Sequence, residues 1–297
     1  MKKLLLCLLL LIALTLSAET SGQYGLQMLK IISGANQAGQ GGGGAFSSHD
    51  GFAFLLNPAA GLVNSSHVIS MTQNYWIFST RLNSMAYNNS KGKTSLGLSY
   101  RYLDYGKILS RDDTGEIIGE FHPLDLSFSF NFAYRFTPNH YAGININGLY
   151  EKIDTSSSLG VSFDLGYAYL TPVKDLIFAA ALKHLGKTGP MDKEELKLPL
   201  TGEISLIKGI TWGNWKSSLE AKILQSIDDD GLKALLGLNI SPLELLNLRL
   251  GYKFGYDAEN FAAGIGITVR KIVLDYAFIP FDYGIDDVHM IGISYRF

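Results

Sequence analysis

Cysteine is almost absent from this chain: Cys7 is the only one in 297 residues. It lies inside an apolar run, 4–16, that follows Lys2 and Lys3 and precedes the small residues Ser17 and Ala18. That three-part order is the pattern of a secretory signal, so residues 1–18 are expected to be removed. A lipidated cysteine follows the apolar region rather than lying within it, so Cys7 does not fit lipoprotein processing. The mature chain then carries no thiol, which excludes a disulfide scaffold and cysteine chemistry.

Long apolar runs are also missing. No stretch after the leader approaches 18 apolar residues, so no helix is expected to cross a membrane. A β-barrel remains open, because its strands spread their apolar content in alternation. Charge is sparse, with Asp, Glu, Lys and Arg making up 18% of the chain. Loss of Lys2 and Lys3 lowers Lys plus Arg from 25 to 23 against 27 Asp plus Glu, a net charge of −4. A mildly acidic chain has no electrostatic footprint for nucleic acid. Catalytic constellations are absent as well. No serine sits in a nucleophile elbow. The six histidines show no metal-ligand spacing. Asp228-Asp229-Asp230-Gly231 lacks the glutamate and spacing of an EF-hand loop. Gly41-Gly42-Gly43-Gly44 is not followed by the Lys-Ser/Thr of a phosphate loop. The expectation is a protein that is not an enzyme and takes no cofactor and no metal.

Glycine and aromatic residues are plentiful: 32 Gly, 16 Tyr and 16 Phe. Residues 19–65 are rich in Gly, Ala, Asn and Ser and cannot form a core alone. They read as a plug folded against something larger. A short helix is expected over 24–32. From 66 to 297 the pattern is period two. In 124–136, Leu124, Leu126, Phe128, Phe130, Phe132, Tyr134 and Phe136 share one face, and Asp125, Ser127, Ser129, Asn131, Ala133 and Arg135 share the other. Side chains alternate across a strand, so one face meets grease and the other a polar interior. Similar runs recur and give about fourteen strands. Many match the roughly 9–11 residues of a tilted membrane strand. Residues 106–120 read as a hairpin reaching beyond the wall.

Three features favour lipid over water. The polar face uses Gly, Ala, Ser and Asn with few Lys or Glu, as a crowded barrel interior does. Aromatic residues gather near strand ends, the place of amphipathic rings at a membrane interface. The chain ends in an alternating strand whose Tyr295 and Phe297 resemble the recognition signal of bacterial barrel-assembly machinery. An open sheet edge in hydrocarbon costs several kcal/mol per unpaired backbone group, so the sheet must close. The expected class is all-β: a transmembrane antiparallel β-barrel of about 14 strands with an N-terminal plug, in the bacterial outer membrane.

Several short segments carry a family resemblance. They include Gly43-Gly44-Ala45-Phe46, Asp50 and Asn57-Pro58-Ala59-Ala60-Gly61-Leu62. Further on come Phe163-Asp164-Leu165-Gly166, Leu198-Pro199, Leu248-Arg249-Leu250-Gly251-Tyr252 and Leu274-Asp275-Tyr276-Ala277-Phe278-Ile279-Pro280. Together they resemble the PorV/PorQ family of outer-membrane proteins, which are similar to FadL long-chain fatty-acid channels. Two departures stand out. Asn36 and Gln40 occupy positions where the family commonly has Arg and Met, and Ala60 is an extra residue in the Asn-Pro-Ala-Gly motif. The resemblance implies fourteen strands with an N-terminal segment lodged inside. It implies passive transport or binding of hydrophobic solutes or, alternatively, an accessory part in type IX secretion that engages secreted proteins. Expected partners are outer-membrane lipid, the barrel-assembly machinery, and a hydrophobic ligand or secreted proteins.

Two groups of residues are singled out. Gly43, Gly44, Asn57, Pro58 and Gly61 form the plug motif. Arg101, Asp125, Arg135, Asp164, Glu220, Arg249 and Asp275 fall on inward faces, where they either tether the plug or line a substrate path.

Overall fold

The computed structural model describes residues 24–46, 50–62, 67–192, 194–243 and 245–297. The leader, 1–18, and the expected plug–barrel boundary near 65 lie outside them.

Fourteen strands close into one antiparallel barrel, each paired with its neighbours in sequence. They are β1 (Val68–Tyr75), β2 (Arg81–Lys91), β3 (Thr94–Asp104), β4 (Leu124–Thr137), β5 (His140–Ile153), β6 (Ser156–Leu170) and β7 (Leu176–Thr188). The second half comprises β8 (Thr201–Trp212), β9 (Trp215–Ser226), β10 (Lys233–Leu243), β11 (Leu246–Phe254), β12 (Phe261–Val269), β13 (Ile272–Ile279) and β14 (Val288–Arg296). The ring shuts where β1 pairs with β14, from Val68 opposite Arg296 to Tyr75 opposite His289. Phe297 adds a last bond, its N–H reaching the His67 carbonyl at 2.9 Å. Closure leaves no ladder edge unpaired, which is what hydrocarbon demands.

The period-two pattern explains the wall. Leu98, Phe128 and Leu159 point outward and are 56%, 58% and 72% exposed. Their inward neighbours Ser99, Ser127, Ser129 and Ser158 are buried. Large apolar side chains cover the outside of every strand, far beyond the few hundred Å² of apolar patch that a water-soluble monomer tolerates. The outer belt faces lipid.

The connections separate into two rims. Tight turns join β2–β3, β4–β5, β8–β9, β10–β11 and β12–β13, and the outer ends of β1 and β14 lie on the same side. Apart from one tight turn, Asp154-Thr155 between β5 and β6, the opposite rim carries the longer connections. One of them projects as a separate hairpin, Ile108–Arg111 paired with Ile117–Phe121, as the sequence suggests.

Residues 24–46 and 50–62 run along the inner wall. Where a helix was expected over 24–32, only one 3-10 turn forms, Gln27–Lys30. Its start is held by the wall rather than by its own cap: Leu26 N–H donates to Glu151 Oε1 (3.4 Å). A short helix, Ala35–Ala38, lies on β12, β13 and β14. The chain then turns through Gly41, Gly42 and Gly44 at φ 67°, 99° and 89°. That left-handed path strains any residue with a Cβ, which explains the glycine run. A second short helix, Ala53–Leu56, leads into the 3-10 helix Pro58–Leu62. Proline suits a first helical position, and the Asn57 side chain caps this one by accepting the Ala59 N–H at 2.9 Å.

Inward glycines of the wall mark where this segment docks. A Cβ at Gly251 would lie 2.3 Å from the Gly41 nitrogen, at Gly143 2.3 Å from the Pro58 carbonyl oxygen, and at Gly166 2.4 Å from Asn57 Oδ1. The segment approaches more closely than any larger side chain permits.

Candidate functional site

The motif residues of the inner segment meet polar groups of the wall. Gly44 N–H donates to Glu220 Oε2 at 2.7 Å, and Gly43 packs beside the same carboxylate. Asn57 Nδ2 donates to the Ala180 carbonyl at 3.0 Å. The Pro58 carbonyl accepts from Asn131 Nδ2 at 3.1 Å. The Gly61 carbonyl accepts from Asn88 Nδ2 and Ser95 Oγ, both at 2.8 Å. A ladder of amides continues around the wall. Asn131 donates to Asn145 (2.7 Å), and Asn145 and Asn147 both donate to Asp164 (3.0 and 3.1 Å). Asn145 also donates to the Phe54 carbonyl at 3.0 Å. Short amides here satisfy the backbone of a segment that has no sheet of its own.

The inward charges are distributed rather than gathered. Arg249 and Asp275 form a buried pair at 2.7 Å. Asp164 accepts the backbone N–H of His184 at 2.8 Å. His184 stands in β7 at φ 64°, where the β6–β7 register shifts, so a side chain replaces a lost ladder partner. Arg101 is buried near Ser127, with Nη2 to Oγ 3.5 Å. Asp125 accepts from the Tyr105 hydroxyl at 2.8 Å. Burial and the neighbouring Asp125 carboxylate push the Tyr105 hydroxyl well above its usual range, so it stays a donor. Arg135 is different in place: it lies at the short-turn rim and its Nη2 donates to the Gly92 carbonyl at 3.3 Å. Tyr295 and Phe297 stack edge to face on the outer wall, centroids 5.0 Å apart.

The long-loop half of the lumen holds a cavity of about 740 Å³. Toward β1–β3 the lining is mainly apolar, with Met28, Ile31, Ile32, Trp76, Ile77 and Leu103 beside Arg101 and Tyr105. The other side carries Lys183, Glu203, Lys222, Lys253 and Glu259. Lys183 pairs with Glu203 at 3.1 Å, and Lys222 lies 3.7 Å from both Glu203 and Glu220. Lys253 pairs with Glu259 at 2.7 Å. Lys222 also donates to the Gly42 carbonyl at 3.0 Å, tying this wall to the glycine turn. Tyr256 stands above, its ring 4.5 Å from Lys233 Nζ and 5.1 Å from Lys253 Nζ.

Residues 27–33 line the cavity near the rim, and a latch fixes them there. Lys30 Nζ lies 3.0 Å from Asp228 and 2.9 Å from Asp229, while Gln27 donates to Asp228 at 3.1 Å. Burial raises the Asp228 carboxyl, but bonds from Ser226, Lys30 and Gln27 outweigh it and hold it below its ordinary value. Further in, Asp50 is buried against Gln37 Nε2 (2.9 Å) and the Phe52 N–H (2.9 Å). Burial is the main reason its carboxyl is pushed up to about 6.

Glu203, Lys222, Lys183 and Lys253 were not singled out from sequence. The signal was present: each shares the inward parity of its strand, opposite Leu206, Ile223, Leu182 and Tyr252. The apolar lumen residues Leu103 and Leu235 break the alternation and give no such signal.

No family model matches the chain, and no curated protein matches it. Solved structures do. The Pseudomonas putida toluene transporter TodX superposes with a TM-score of 0.63 at 12% identity, over 92% of this chain and 99% of that one. A Pseudomonas aeruginosa FadL homologue gives 0.58 at 10% identity, over 89% and 98%. The fold is that of FadL-type outer-membrane barrels. At such low identity the likeness concerns architecture: fourteen antiparallel strands in a closed ring.

Proposed function

We propose that this chain is a bacterial outer-membrane channel for passive uptake or binding of hydrophobic solutes, with residues 24–62 as its plug. The observation that carries this reading is the cavity of about 740 Å³ beneath the long-loop rim, mainly apolar toward β1–β3. Its volume falls in the range of roughly 300–1,000 Å³ that small-molecule sites occupy. The toluene transporter and the FadL homologue that share the fold support it. The ion pairs on the opposite side hold the wall and the glycine turn together, leaving the apolar side to take solute. No catalytic step is part of this reading. The terminal Tyr295 and Phe297 serve assembly by the barrel-assembly machinery, and the finer kinship is with the PorV/PorQ family.

Passage requires the plug to shift, because residues 34–46 and 50–62 pack against the wall below the cavity. The segment is testable by locking it. A Cβ built on Gly292 lies 3.3 Å from the Ala35 Cβ, close to the 3.5–4.5 Å of a disulfide. The pair A35C/G292C, in proteoliposomes loaded with an apolar fluorescent solute sink, is expected to stop entry when oxidised and restore it when reduced. Equal entry in both states would sink the moving plug, and no entry through the native chain would sink transport.

A second reading has its own observation. The projecting hairpin exposes Ile108, Leu109, Ile117 and Ile118, the last at 66%. Apolar side chains on both faces of an isolated hairpin suit engagement of a secreted protein, as an accessory role in export requires.

A further inference from the structure

The two rims differ sharply in charge. Exposed cations stand at the short-turn rim: Lys91 and Lys93 around the β2–β3 turn, Lys174 between β6 and β7, Lys216 at the start of β9, and Arg270 and Lys271 between β12 and β13. Among the described residues the one carboxylate in these turns is Asp175, and the sequence adds Glu244. The long-loop rim is the reverse. It carries many carboxylates, among them Asp112, Asp113 and Glu116 in the hairpin and Asp282, Asp286 and Asp287 before β14.

The basic groups sit at a defined depth. Trp212 and Trp215, 86% and 53% exposed, flank the β8–β9 turn, and Phe136 and Phe297 stand at the same rim, 61% and 62% exposed. Such rings mark the membrane interface. The cations lie at or just past that level, where lipid phosphates are. They are spread over four of the connections around the ring. A spread of this kind meets an annulus of headgroups rather than one compact anion. Local geometry gives way to charge as well. The β12–β13 turn is Arg270-Lys271, with Arg270 at φ 55°, although such turns favour Asn-Gly or glycine.

We infer that the short-turn rim is a ring that binds the phosphates of anionic phospholipids in the leaflet on that side, through Lys91, Lys93, Lys174, Arg270 and Lys271. Short turns face the periplasm in barrels of this class, so the leaflet is the periplasmic one. Attraction between clustered basic side chains and an anionic leaflet is additive over charges and is screened by salt. The inference rests on the lipid-facing belt and is independent of the transport reading.

The test uses the full chain in nanodiscs of equal phosphatidylglycerol and phosphatidylethanolamine, with mass spectrometry of the lipids retained on release. The native chain is expected to keep phosphatidylglycerol over phosphatidylethanolamine by about fivefold or more at low salt, which is the share of a single basic residue at a membrane surface. The preference is expected to fall at high salt, a readout that needs no variant. The quadruple change K91Q/K93Q/R270Q/K271Q is expected to bring it near parity, and the smaller R270Q/K271Q to lower it part-way. K107Q/R111Q, in the projecting hairpin, keeps it. Parity in the native chain, or a full preference in the quadruple variant, overturns the inference. So does lipid parity accompanied by salt-sensitive binding of an acidic protein, which assigns the ring to a protein partner. Failure of the native chain to enter nanodiscs at all overturns the membrane reading itself.

Discussion

Asp50 joins two levels of the structure, since it is buried between the inner segment and the wall. Its carboxyl titrates near 6 when folded against an ordinary 3.8. Between those values the folded form binds more protons than the unfolded one, so stability falls as pH rises from about 4 to 6. Below that window the native and unfolded groups are both neutral, and the penalty vanishes. A shift of this size corresponds to about 2–3 kcal/mol. Asp50→Asn keeps an acceptor for Phe52 and Gln37 without the charge. It is expected to raise the melting temperature in detergent at pH 8 and to leave it unchanged below about pH 3. An equal gain at both values would mean that charge is not the cause.

Gly251 makes a second prediction at this scale. Its Cβ has no room beside Gly41, whereas a Cβ at the outward Gly148 meets nothing within 4 Å. Gly251→Val is expected to cost about 2 kcal/mol or more and to expose the inner segment to protease. Gly148→Val stays within about 0.5 kcal/mol of the native chain. Limited proteolysis alongside thermal melts separates the two.

Among the elements, the projecting hairpin depends least on the rest. Its strands pair with each other, Ile108 opposite Phe121 and Leu109 opposite Glu120, and contribute no rung to the barrel. Removing 108–120 and rejoining Lys107 to Phe121 through two glycines is therefore expected to leave melting within a few degrees. Solute entry should survive the deletion, and binding of secreted proteins should not. Loss of entry with the barrel intact would tie the hairpin to the cavity mouth, where Ile108 also stands. The inner elements behave in the opposite way. The helices Ala35–Ala38 and Pro58–Leu62 are too short to persist alone, and their stability lies in the amides and glycines of the wall. Their sequence reads poorly for that reason: only Asn57-Pro58, a cap followed by a first-turn proline, is a local signal. The 3-10 turn at Gln27–Lys30 replaces the expected helix over 24–32 because Glu151, Asp228 and Asp229 hold its ends from across the lumen.

At the scale of the molecule, the barrel is stable only where its outer belt is out of water. Phe130 lies mid-strand in β4, points outward and is 43% exposed. Phe130→Arg is expected to cost about 2–4 kcal/mol in a bilayer, the penalty for a cation on the lipid face near the midplane. Folding yield into vesicles against denaturant measures it. A cost below about 0.5 kcal/mol, the scale of ordinary surface changes, would argue against a lipid-facing belt.

The strands are legible in the sequence because alternation is local. Each run such as Leu124 to Phe136 states its two faces by itself, and the observed β4, Leu124–Thr137, begins and ends within a residue of it. The even count and the need for closure follow from what hydrocarbon does to an unpaired edge. The inward parity of Asp164, Glu220, Arg249 and Asp275 is legible on the same ground. Their partners are not. Arg249 meets Asp275 across 26 residues and Gly44 meets Glu220 across 176, and such pairings depend on register and closure. The left-handed His184, the inward Leu103 and the cavity between the two sides of the lumen belong to that same class. A strand states which way each side chain points, and only the closed ring decides what it points at.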